Sequence, residues 1–465
     1  MSIRIKFLGG VRTVTGSSHL VTSDSARVLL DSGLFQGHRE EFYRLNTSFS
    51  YNPRQVDALV ISHAHVDHCG NLPSLIKKGM RCKIYSTHAT KDLCRLMLED
   101  SGKIQEEDIR YLNKINKRLG LPLRKPLYTK NEASRAGRRR FQTLSYGHRC
   151  PAAKNVFVTL LDAGHILGSA LVVLDVKDQD KQLRIGYAVD LGRKNLPMLN
   201  DPVIPKGLDY LIIESTYGGR EHAPIEEAKI KLRDAINRTV ERRGKIVIPA
   251  FTLERTQEVI YVLNQLSKEK AIPIIPVFVD SPLATEITEV FKYHQAYMND
   301  KTQNEIVTGN GPFELLNLRF IRDQVESKKL NADKRPMIII AGSGMCESGR
   351  VLHHLKNTIE DSRNTVLVVG YMAKDTLGRR IVERDRFVPI FGIEHELNAE
   401  VVIINAFSGH ADKHDLFEFI SGCLPLKRIF LVHGDEEQTW ILFNRLFNLG
   451  FNVYMPHRDE EVELV

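Results

Sequence analysis

The sequence predicts an α/β protein in which one α/β domain is inserted into another. At 465 residues the chain is too long for one ordinary hydrophobic core, so two or three domains are expected. Short apolar strands closed by turns occupy the first part, whereas continuous apolar strands alternate with helices from about residue 222. The second pattern is typical of a parallel sheet with both faces covered. After about residue 395 the early pattern resumes, so the two ends are expected to complete one domain.

The first part of the chain is predicted to be rich in strands, with a charged helical stretch over residues 90–140. Its strands contain many branched apolar residues and end at glycine or at polar residues, which is typical of strands bounded by turns. They are expected at IRIKFLGG, RVLLDSG, ALVISHAH and KIYST, and again at VFVTLLDAGH, SALVVLDV, LRIGYAVDLG and YLIIEST.

The middle part begins with an amphipathic pattern over residues 224–243 that stops at Gly244. Its strands KIVIPAF, PVFVDSP and MIIIAGSGM are each followed by a predicted helix, beginning near Glu254, Thr285 and Ser343, and the strand TVLVVGY comes next. The last part contains EVVIINAFSGHAD, RIFLVHGD and NVYMPH with helices between them. We therefore predict three segments, the first and last of which form one domain: residues 1–207, 208–394 and 395–465.

Composition indicates a soluble cytoplasmic protein with no membrane association. No apolar run approaches the roughly 18 residues needed to span a bilayer, and the first residues lack the apolar core of a secretory signal. Six cysteines without a CxxC pair favour a reducing compartment over a disulfide scaffold. The net charge of +8 is modest for this length and attracts polyanions only in a general way.

The segment SHAHVDHC, residues 62–69, places three imidazoles and one carboxylate directly after an apolar run. A metal site, a cluster of hydrogen-bonded histidines and coincidence in a polar loop are the alternatives. Imidazole and carboxylate are both zinc ligands. Alternation lets His63 and His65 leave one face of an extended segment, and a turn brings Asp67 and His68 round from another direction. Taken whole, the pattern favours two metals that share one short loop.

Two metals need further ligands, which are expected at the ends of other apolar strands. His165 follows VTLLDAG, Asp190 follows RIGYAV and His433 follows RIFLV. Asp31 and Glu214 stand at equivalent positions after VLL and YLII. A single histidine at such a position is more often a structural residue, so the prediction depends on the set as a whole.

The motif HAHVDH resembles the HxHxDH motif of the metallo-β-lactamase superfamily. In the same resemblance His165 stands for the third histidine motif, Asp190 for the bridging aspartate and Asp31 for an early structural aspartate. The resemblance implies that one zinc ion is held by three histidines and a second by a mixed set, with Asp190 bridging. The seven implied ligands are His63, His65 and His165, then Asp67, His68 and His433, and finally Asp190.

The later part of the chain resembles the β-CASP family of nucleic-acid-processing nucleases. The family has three additional motifs, and the segments of this chain that resemble them are ESTYG with Glu214, FSGHAD with His410 and LVHGD with His433. Further similar segments are IPAF, DSPLA, GSGM followed by GRVLHHL, and GYMAKDTLGR. The resemblance implies a metallo-β-lactamase αββα sandwich with an inserted β-CASP domain, which is built on a parallel α/β sheet.

The resemblance also implies a mechanism, in which Asp67 and Asp190 act as catalytic residues through the metals. A hydroxide held between two zinc ions attacks a phosphodiester phosphorus in line, while the metals neutralise charge on the phosphoryl oxygens. His410 is the expected general acid for the leaving 3′-oxygen, and Glu214 keeps it oriented and basic. Asp31 is expected to aim a ligand histidine. The products are a 3′-hydroxyl and a 5′-phosphate.

Phosphate contacts are expected at glycine-rich turns. Ser343 and Gly344 are interpreted as the start of a helix whose N–H groups could take a phosphate, although an ordinary strand–helix turn explains them equally well. Arg379 is a weaker case, and Ser408 and Gly409 lie beside the expected acid. Because RNA-directed members of the family keep the last-motif histidine, single-stranded RNA is the favoured partner.

Three rival functions stay open: a DNA nuclease of the same fold, a metal-free subunit that only binds RNA, and a small-molecule hydrolase of the superfamily. All seven ligand positions carry competent side chains, which argues against the metal-free subunit. The resemblance favours endonucleolytic cleavage in RNA processing or decay, with 5′-exonucleolytic action left open. A homodimer, and manganese or iron in place of zinc, also stay open.

Overall fold

The computed structural model describes residues 3–37, 39–138, 140–179 and 181–465. The chain divides into two compact units. The first, called the metal-centre unit below, comprises residues 1–194, 200–221 and 409–465, and the second comprises residues 195–199 and 222–408. The segment boundaries predicted from the sequence, at 207/208 and 394/395, remain predictions.

The described residues form the following strands: β1 (Ile3–Gly9), β2 (Ser18–Thr22), β3 (Arg27–Leu30), β4 (Ala58–Val60), β5 (Lys83–Ser86), β6 (Phe141–Thr143), β7 (Arg149–Ala153), β8 (Val156–Asp162), β9 (Ala170–Asp178), β10 (Lys181–Ala188), β11 (Tyr210–Glu214), β12 (Lys245–Pro249), β13 (Val277–Asp280), β14 (Leu318–Phe320), β15 (Met337–Ala341), β16 (Thr365–Val368), β17 (Phe387–Ile390), β18 (Ile393–Glu396), β19 (Glu400–Ile403), β20 (Arg428–Val432), β21 (Val453–Tyr454) and β22 (Glu461–Leu464).

The α-helices of the same residues are α1 (Arg39–Thr47), α2 (Val66–Cys69), α3 (Leu72–Lys77), α4 (His88–Leu119), α5 (Lys130–Arg138), α6 (Ile225–Glu241), α7 (Arg255–Lys268), α8 (Pro282–Tyr293), α9 (Asp300–Val307), α10 (Gln324–Ala332), α11 (Arg350–Thr358), α12 (Leu377–Val382), α13 (Lys413–Gly422) and α14 (Glu436–Asn448). None of them is long and apolar enough to cross a lipid bilayer, as far as the described residues go.

The metal-centre unit is a four-layer sandwich with two seven-stranded sheets at its middle. One sheet runs β22-β1-β2-β3-β4-β5-β6 and the other β21-β20-β11-β10-β9-β8-β7. Buried side chains of both sheets, such as Val28 and Val60 from the first and Val172 and Ile185 from the second, share one apolar core. The outer face of the second sheet packs on α13 and α14. This confirms the predicted αββα architecture, and the pairing of β1 with β22 joins the two ends of the chain.

The second unit is built on a six-stranded sheet in the order β14-β13-β15-β12-β16-β19. Every adjacent pair in this sheet is parallel. Its strands are buried along their whole length at β12, β13, β15 and β16, which explains why they read as continuous apolar runs. The predicted parallel α/β sheet is confirmed.

Three helix predictions differ from the structure in their bounds. The charged stretch 90–140 forms two helices, because Gly120 adopts the left-handed conformation that ends α4. Helix α8 begins at Pro282, ahead of the predicted Thr285, since the Ser281 side chain caps the Ala284 N–H. The prediction that a helix begins at Ser343 is wrong: α11 begins at Arg350.

The strands of the metal-centre unit bring the predicted site residues to one edge. In one sheet β3 and β4 are parallel, and in the other β10, β11 and β20 are parallel. The carboxyl ends of parallel strands meet at the same edge of a sheet. Residues that directly follow these strands therefore gather there, although they lie hundreds of positions apart in sequence.

Candidate metal centre

The segment SHAHVDHC follows β4, and its last four residues form the short helix α2. His65 is extended, with φ −62° and ψ 148°, and stands directly before the helix. The N–H groups of His68 and Cys69 both donate to the His65 carbonyl, which closes the turn. His65 thus leaves an extended backbone, while the turn redirects Asp67 and His68.

The first group of potential ligands consists of His63, His65, His165 and Asp190. His63 Nε2 lies 3.0 Å from His65 Nδ1, and His165 Nε2 lies 3.3 Å from the same atom. Asp190 Oδ2 is 3.2 Å from His63 Nε2, 3.9 Å from His65 Nδ1 and 3.3 Å from His165 Nε2. A tetrahedral zinc ion with bonds of about 2.0–2.2 Å places its ligand atoms about 3.3–3.6 Å apart. The spacing fits one metal ion.

The second group consists of Asp67, His68 and His433. His68 Nε2 lies 3.2 Å from His433 Nε2, and the Asp67 carboxylate lies 3.9 Å and 3.6 Å from these two nitrogens. Two imidazole nitrogens face each other here, an arrangement in which at most one of them can donate. This donor set also fits a divalent metal, which accepts lone pairs from both rings.

Asp190 reaches both groups. Its Oδ2 faces the three histidines of the first group, while its Oδ1 lies 3.4 Å from His68 Nε2 and 2.9 Å from His433 Nδ1. The Oδ1 contacts are not aligned as hydrogen bonds, so this buried oxygen has no hydrogen-bond partner within the described part of the chain. Burying a carboxylate oxygen without a hydrogen-bond partner costs free energy unless another group binds it. A divalent metal satisfies that requirement.

The pKa shifts in the cluster follow from burial and from its carboxylates. Burial lowers the pKa of His63 to about 4 and that of His165 well below its usual value, so both rings are neutral at pH 7, as metal binding requires. Burial acts the same way on His433, but Asp190 outweighs it and raises the pKa of His433 to about 10. The pocket therefore has a negative potential, which favours a bound cation.

Hydrogen bonds to their outer nitrogens orient two of the potential ligand histidines. Asp31 accepts from His68 Nδ1 at 2.8 Å, so that His68 presents Nε2 to the centre. Asp31 is fully buried and also accepts from the Ser62 N–H and hydroxyl and from the Tyr187 hydroxyl. The Gly409 carbonyl lies 3.2 Å from His165 Nδ1 and aims that ring in the same way.

Sequence reasoning missed two of these partners. Tyr187 stands on the strand that leads to Asp190, and a polar ring near the end of that strand was its only signal. Gly409 was predicted as a phosphate contact, which stays a prediction; that its carbonyl faces His165 Nδ1 and also accepts from the Arg193 N–H was not predicted. A backbone carbonyl leaves no signal in a sequence.

The loops after the strands adopt uncommon backbone conformations. Asp31, Asp190 and His433 have φ values of 59°, 59° and 46°, in the left-handed region where Asp and His are enriched among non-glycine residues. Gly33 allows the closest approach, because a Cβ there would lie 1.6 Å from the Asp67 carbonyl oxygen. The chain bends sharply at each strand end, which turns side chains of three different segments toward one point.

His410 and Glu214 form a pair beside the metal centre. His410 Nδ1 lies 3.0 Å from Glu214 Oε2, and the Leu191 N–H donates to Oε1 of the same, fully buried carboxylate. The His410 ring centroid is 4.7 Å from that of His165. Burial alone would lower the pKa of His410, but Glu214 and Asp190 outweigh it and raise that pKa above its usual value.

The remaining predicted phosphate contacts lie in the second unit. Ser343 and Gly344 belong to the turn that follows β15, where Gly344 packs against the Phe251 ring, so they are not the N-terminus of a helix. Arg379 lies on α12, and its guanidinium pairs with Glu383 at 2.6 Å. Ser408 follows a short turn whose Asn405 carbonyl accepts its N–H. Their role in binding phosphate remains a prediction.

Fold and site together define a metal-dependent hydrolase. Three family models match the chain: "Metallo-beta-lactamase superfamily" over residues 11–137, "Beta-Casp domain" over 256–381 and "Zn-dependent metallo-hydrolase RNA specificity domain" over 394–456. The solved structure of a protein of unknown function from Enterococcus faecalis V583 covers 100% of both chains, with a TM-score of 0.58 and 15% identity, a likeness in fold alone.

Two relatives are similar over almost the whole chain. Ribonuclease TTHA0252 of Thermus thermophilus is 35% identical over 462 residues, which span 99% of this chain and 100% of that protein. The transcription termination factor FttA of Pyrococcus horikoshii is 32% identical, over 99% of this chain and 71% of that protein. The chain belongs to the β-CASP family of the metallo-β-lactamase superfamily.

Proposed function

We propose that this protein is a ribonuclease that hydrolyses phosphodiester bonds of single-stranded RNA with two zinc ions and leaves a 3′-hydroxyl and a 5′-phosphate. The observation that carries the proposal is the pairing of two ligand groups through Asp190, with a histidine–carboxylate pair directly beside them. The relatives named for ribonuclease activity and for transcription termination support RNA as the substrate.

Each ligand group would hold one metal ion. His63, His65 and His165 would hold one zinc ion, and Asp67, His68 and His433 would hold the other, with one oxygen of Asp190 toward each. Zinc bound there supplies a nucleophile at neutral pH, by lowering the pKa of water, and neutralises charge that builds on the phosphoryl oxygens.

His410 is proposed to protonate the leaving 3′-oxygen. Because its Nδ1 faces Glu214, the proton for transfer resides on Nε2. Glu214 is itself held by the Leu191 N–H, so the ring keeps one orientation during the reaction. Asp31 and the Gly409 carbonyl play the corresponding part for His68 and His165, whose Nε2 atoms they aim at the centre.

The test is incubation of the protein with a long, internally labelled RNA, in parallel with the Asp67→Ala variant. A ladder of internal cuts that is absent in the variant supports both the site and endonucleolytic action. Release of single nucleotides from the 5′ end would indicate exonucleolytic instead of endonucleolytic action. Products that carry a 2′,3′-cyclic phosphate would overturn the mechanism, since they would make the 2′-hydroxyl the nucleophile.

Two rival substrates are distinguished in the same assay. Matched RNA and DNA oligonucleotides separate a ribonuclease from a DNA nuclease, and turnover of a small ester or lactone without nucleolysis would indicate a small-molecule hydrolase.

The cytoplasmic location is supported by the six cysteines, all with free thiols. A homodimer stays a prediction, which light scattering of the purified protein tests.

A further inference from the structure

The end of helix α4 and the turn after it form a cationic surface on the metal-centre unit, away from the metal centre. We call residues 110–125 the α4 tip. These 16 residues contain six cations and no acidic residue: Arg110, Lys114, Lys117, Arg118, Arg124 and Lys125. Every residue from 117 to 125 is exposed. Among the described residues, none of the six cations forms an ion pair.

Four of these cations belong to α4 and lie along one side of the helix. Arg110, Lys114 and Lys117 are separated by four and three residues, which places them in a row about 10 Å long. An adjacent side of the helix is turned inward through Ile109 and Asn116, which are buried. The three acidic residues one turn earlier are already engaged: Glu107 pairs with Lys103, Glu106 accepts the Lys130 N–H, and Asp108 has a partner of its own.

An exposed aromatic ring lies at the edge of this row, beside Lys114. Tyr111 is 66% exposed, and it stands three residues from Lys114 and seven from Arg118, on the same side of the helix. A flat ring flanked by cations is the arrangement on which single-stranded nucleic acid stacks its bases while its phosphates are neutralised. Three exposed leucines at the very end of the α4 tip, by contrast, suit an apolar partner: Leu119, Leu121 and Leu123.

The α4 tip is held in one conformation. The side chain of Asn113 accepts the Arg124 N–H and donates to the Arg124 carbonyl, and Asn116 donates to the Pro122 carbonyl. The Arg124 guanidinium also lies 5.4 Å from the centre of the Tyr43 ring. The cations after the turn are thus fixed beside those on the helix, so binding a ligand costs little conformational entropy.

The position of the α4 tip relative to the metal centre follows from the helix itself. Helix α4 begins beside the centre, where Thr87 and Thr90 both donate to the carbonyl of Gly168, three residues after His165. With a rise of 1.5 Å per residue, Lys114 lies about 40 Å further along. Only an extended ligand can reach both places.

We infer that the α4 tip is a second binding surface for single-stranded RNA, which holds long substrates about 40 Å from the metal centre through phosphate contacts and a base stacked on Tyr111. The inference rests on the proposed function for its choice of polyanion. It predicts that the affinity for RNA rises with length, because only longer strands reach the tip.

The experiment measures binding of a 40-nucleotide and a 6-nucleotide RNA to protein that carries Asp67→Ala, so that cleavage plays no part. The tip variant is Lys114→Ala/Lys117→Ala/Arg118→Ala. The matched control removes three other exposed cations from the strand hairpins: Lys154→Ala/Lys177→Ala/Lys181→Ala. Thermal unfolding checks that both variants are folded.

Each lost phosphate contact reduces the salt slope of single-strand binding by about 0.7, so three contacts reduce it by about 2 and the affinity at 0.1 M salt by roughly a hundredfold. We expect that loss for the 40-mer and the tip variant, and a change below twofold for the 6-mer and for the control. Tyr111→Ala is expected to cost about 5- to 150-fold in affinity for the 40-mer, and Tyr111→Phe little, since the phenyl ring still stacks.

Equal binding of the 40-mer by the tip variant and its parent, with the same salt slope, would overturn the inference. So would selective binding of anionic phosphatidylglycerol vesicles that is lost in Leu119→Ser/Leu121→Ser/Leu123→Ser while RNA affinity is unchanged, because the tip would then be a lipid-binding surface. A failure of the proposed function looks different: the unsubstituted protein leaves RNA intact although the tip still binds it.

Discussion

Two buried clusters of histidine and aspartate in this molecule look alike in composition and differ in how they are satisfied. In the second unit, Asp280 at the end of β13 contacts His354 Nε2 at 2.6 Å, and Arg350 and Ser327 at 2.5 Å each. The other nitrogen of His354 meets Asn331 at 2.8 Å. Each donor of this Asp280 cluster faces an acceptor, and the network is complete without any ligand.

The metal centre is arranged in the opposite way. His68 and His433 turn nitrogens toward each other, and Asp190 Oδ1 has no hydrogen-bond partner in the described residues. The groups of the described residues that could hold a metal ion all lie at or beside this centre, and none includes Asp280. The comparison teaches that a histidine–aspartate cluster indicates a metal when its lone pairs converge, and a structural network when donors and acceptors alternate.

The largest expected difference comes from the same substitution in both clusters. Asp190→Asn should lower RNA cleavage by at least about 1,000-fold and reduce bound metal, because it removes the carboxylate shared by both ligand groups. Asp280→Asn should leave metal content unchanged but lower the free energy of unfolding by about 3–5 kcal/mol, since it leaves Arg350 and His354 without their buried partner.

Elemental analysis, a cleavage assay and chemical denaturation measure the three quantities. If Asp280→Asn lost metal, or if Asp190→Asn kept full activity, the distinction between the two clusters would be wrong.

The next effect concerns His410, which lies beside the centre but is not proposed as a ligand. His410→Ala should lower kcat by about 10²- to 10⁴-fold through loss of the general acid, with metal content retained. His414→Ala is the matched control, since this nearby histidine is exposed and pairs with Glu221. Single-turnover cleavage and elemental analysis separate the outcomes, and loss of metal in His410→Ala would make it a ligand instead.

A smaller effect is expected at Asp31, which touches a ligand but not the centre. Asp31→Asn should weaken metal binding or activity by about 10- to 100-fold, because the amide cannot hold His68 Nδ1 as a carboxylate does. Competition with a chelator of known affinity measures it. An unchanged metal affinity would show that His68 is aimed by packing alone.

The smallest effect is a pH dependence of the Asp280 cluster. Burial alone would raise the pKa of Asp280, but the hydrogen bonds from His354, Ser327 and Arg350 outweigh it and hold the pKa below the usual 3.8. A lowered carboxyl pKa stabilises the fold above pH 3.8, and this contribution is lost as the pH falls toward the folded-state value. The stability difference between the unsubstituted protein and Asp280→Asn should therefore shrink below pH 4 in urea denaturation. A difference that grows with acidity would contradict this sign.

Much of the candidate site could be predicted because its residues stand either in one short loop or directly after an apolar strand. His63, His65, Asp67 and His68 lie in one loop, where alternation and a turn are visible in the order of residues. His165, Asp190 and His433 could be selected because each follows an apolar strand. The αββα sandwich and the parallel sheet were predictable from strand patterns together with the resemblance.

What could not be predicted depends on contacts made by backbone or by distant residues. The start of α11 at Arg350 follows from Gly349, whose φ of 78° is a conformation that favours glycine, and from the bond of Arg350 to Asp280. The separate roles of the Asp280 and Asp190 carboxylates likewise depend on what faces them, which the sequence does not contain.

The sequence by itself determined the chemistry of this protein: which side chains can bind metal, their order along the chain, and the apolar strands that precede them. Only the tertiary structure decided that the two sheets bring their strand ends together, so that His68 and His433, 365 positions apart, lie 3.2 Å from each other. The physical reason is that strand order and sheet packing are nonlocal. They arise from burial of apolar surface over the whole unit, whereas ligand chemistry belongs to each residue alone.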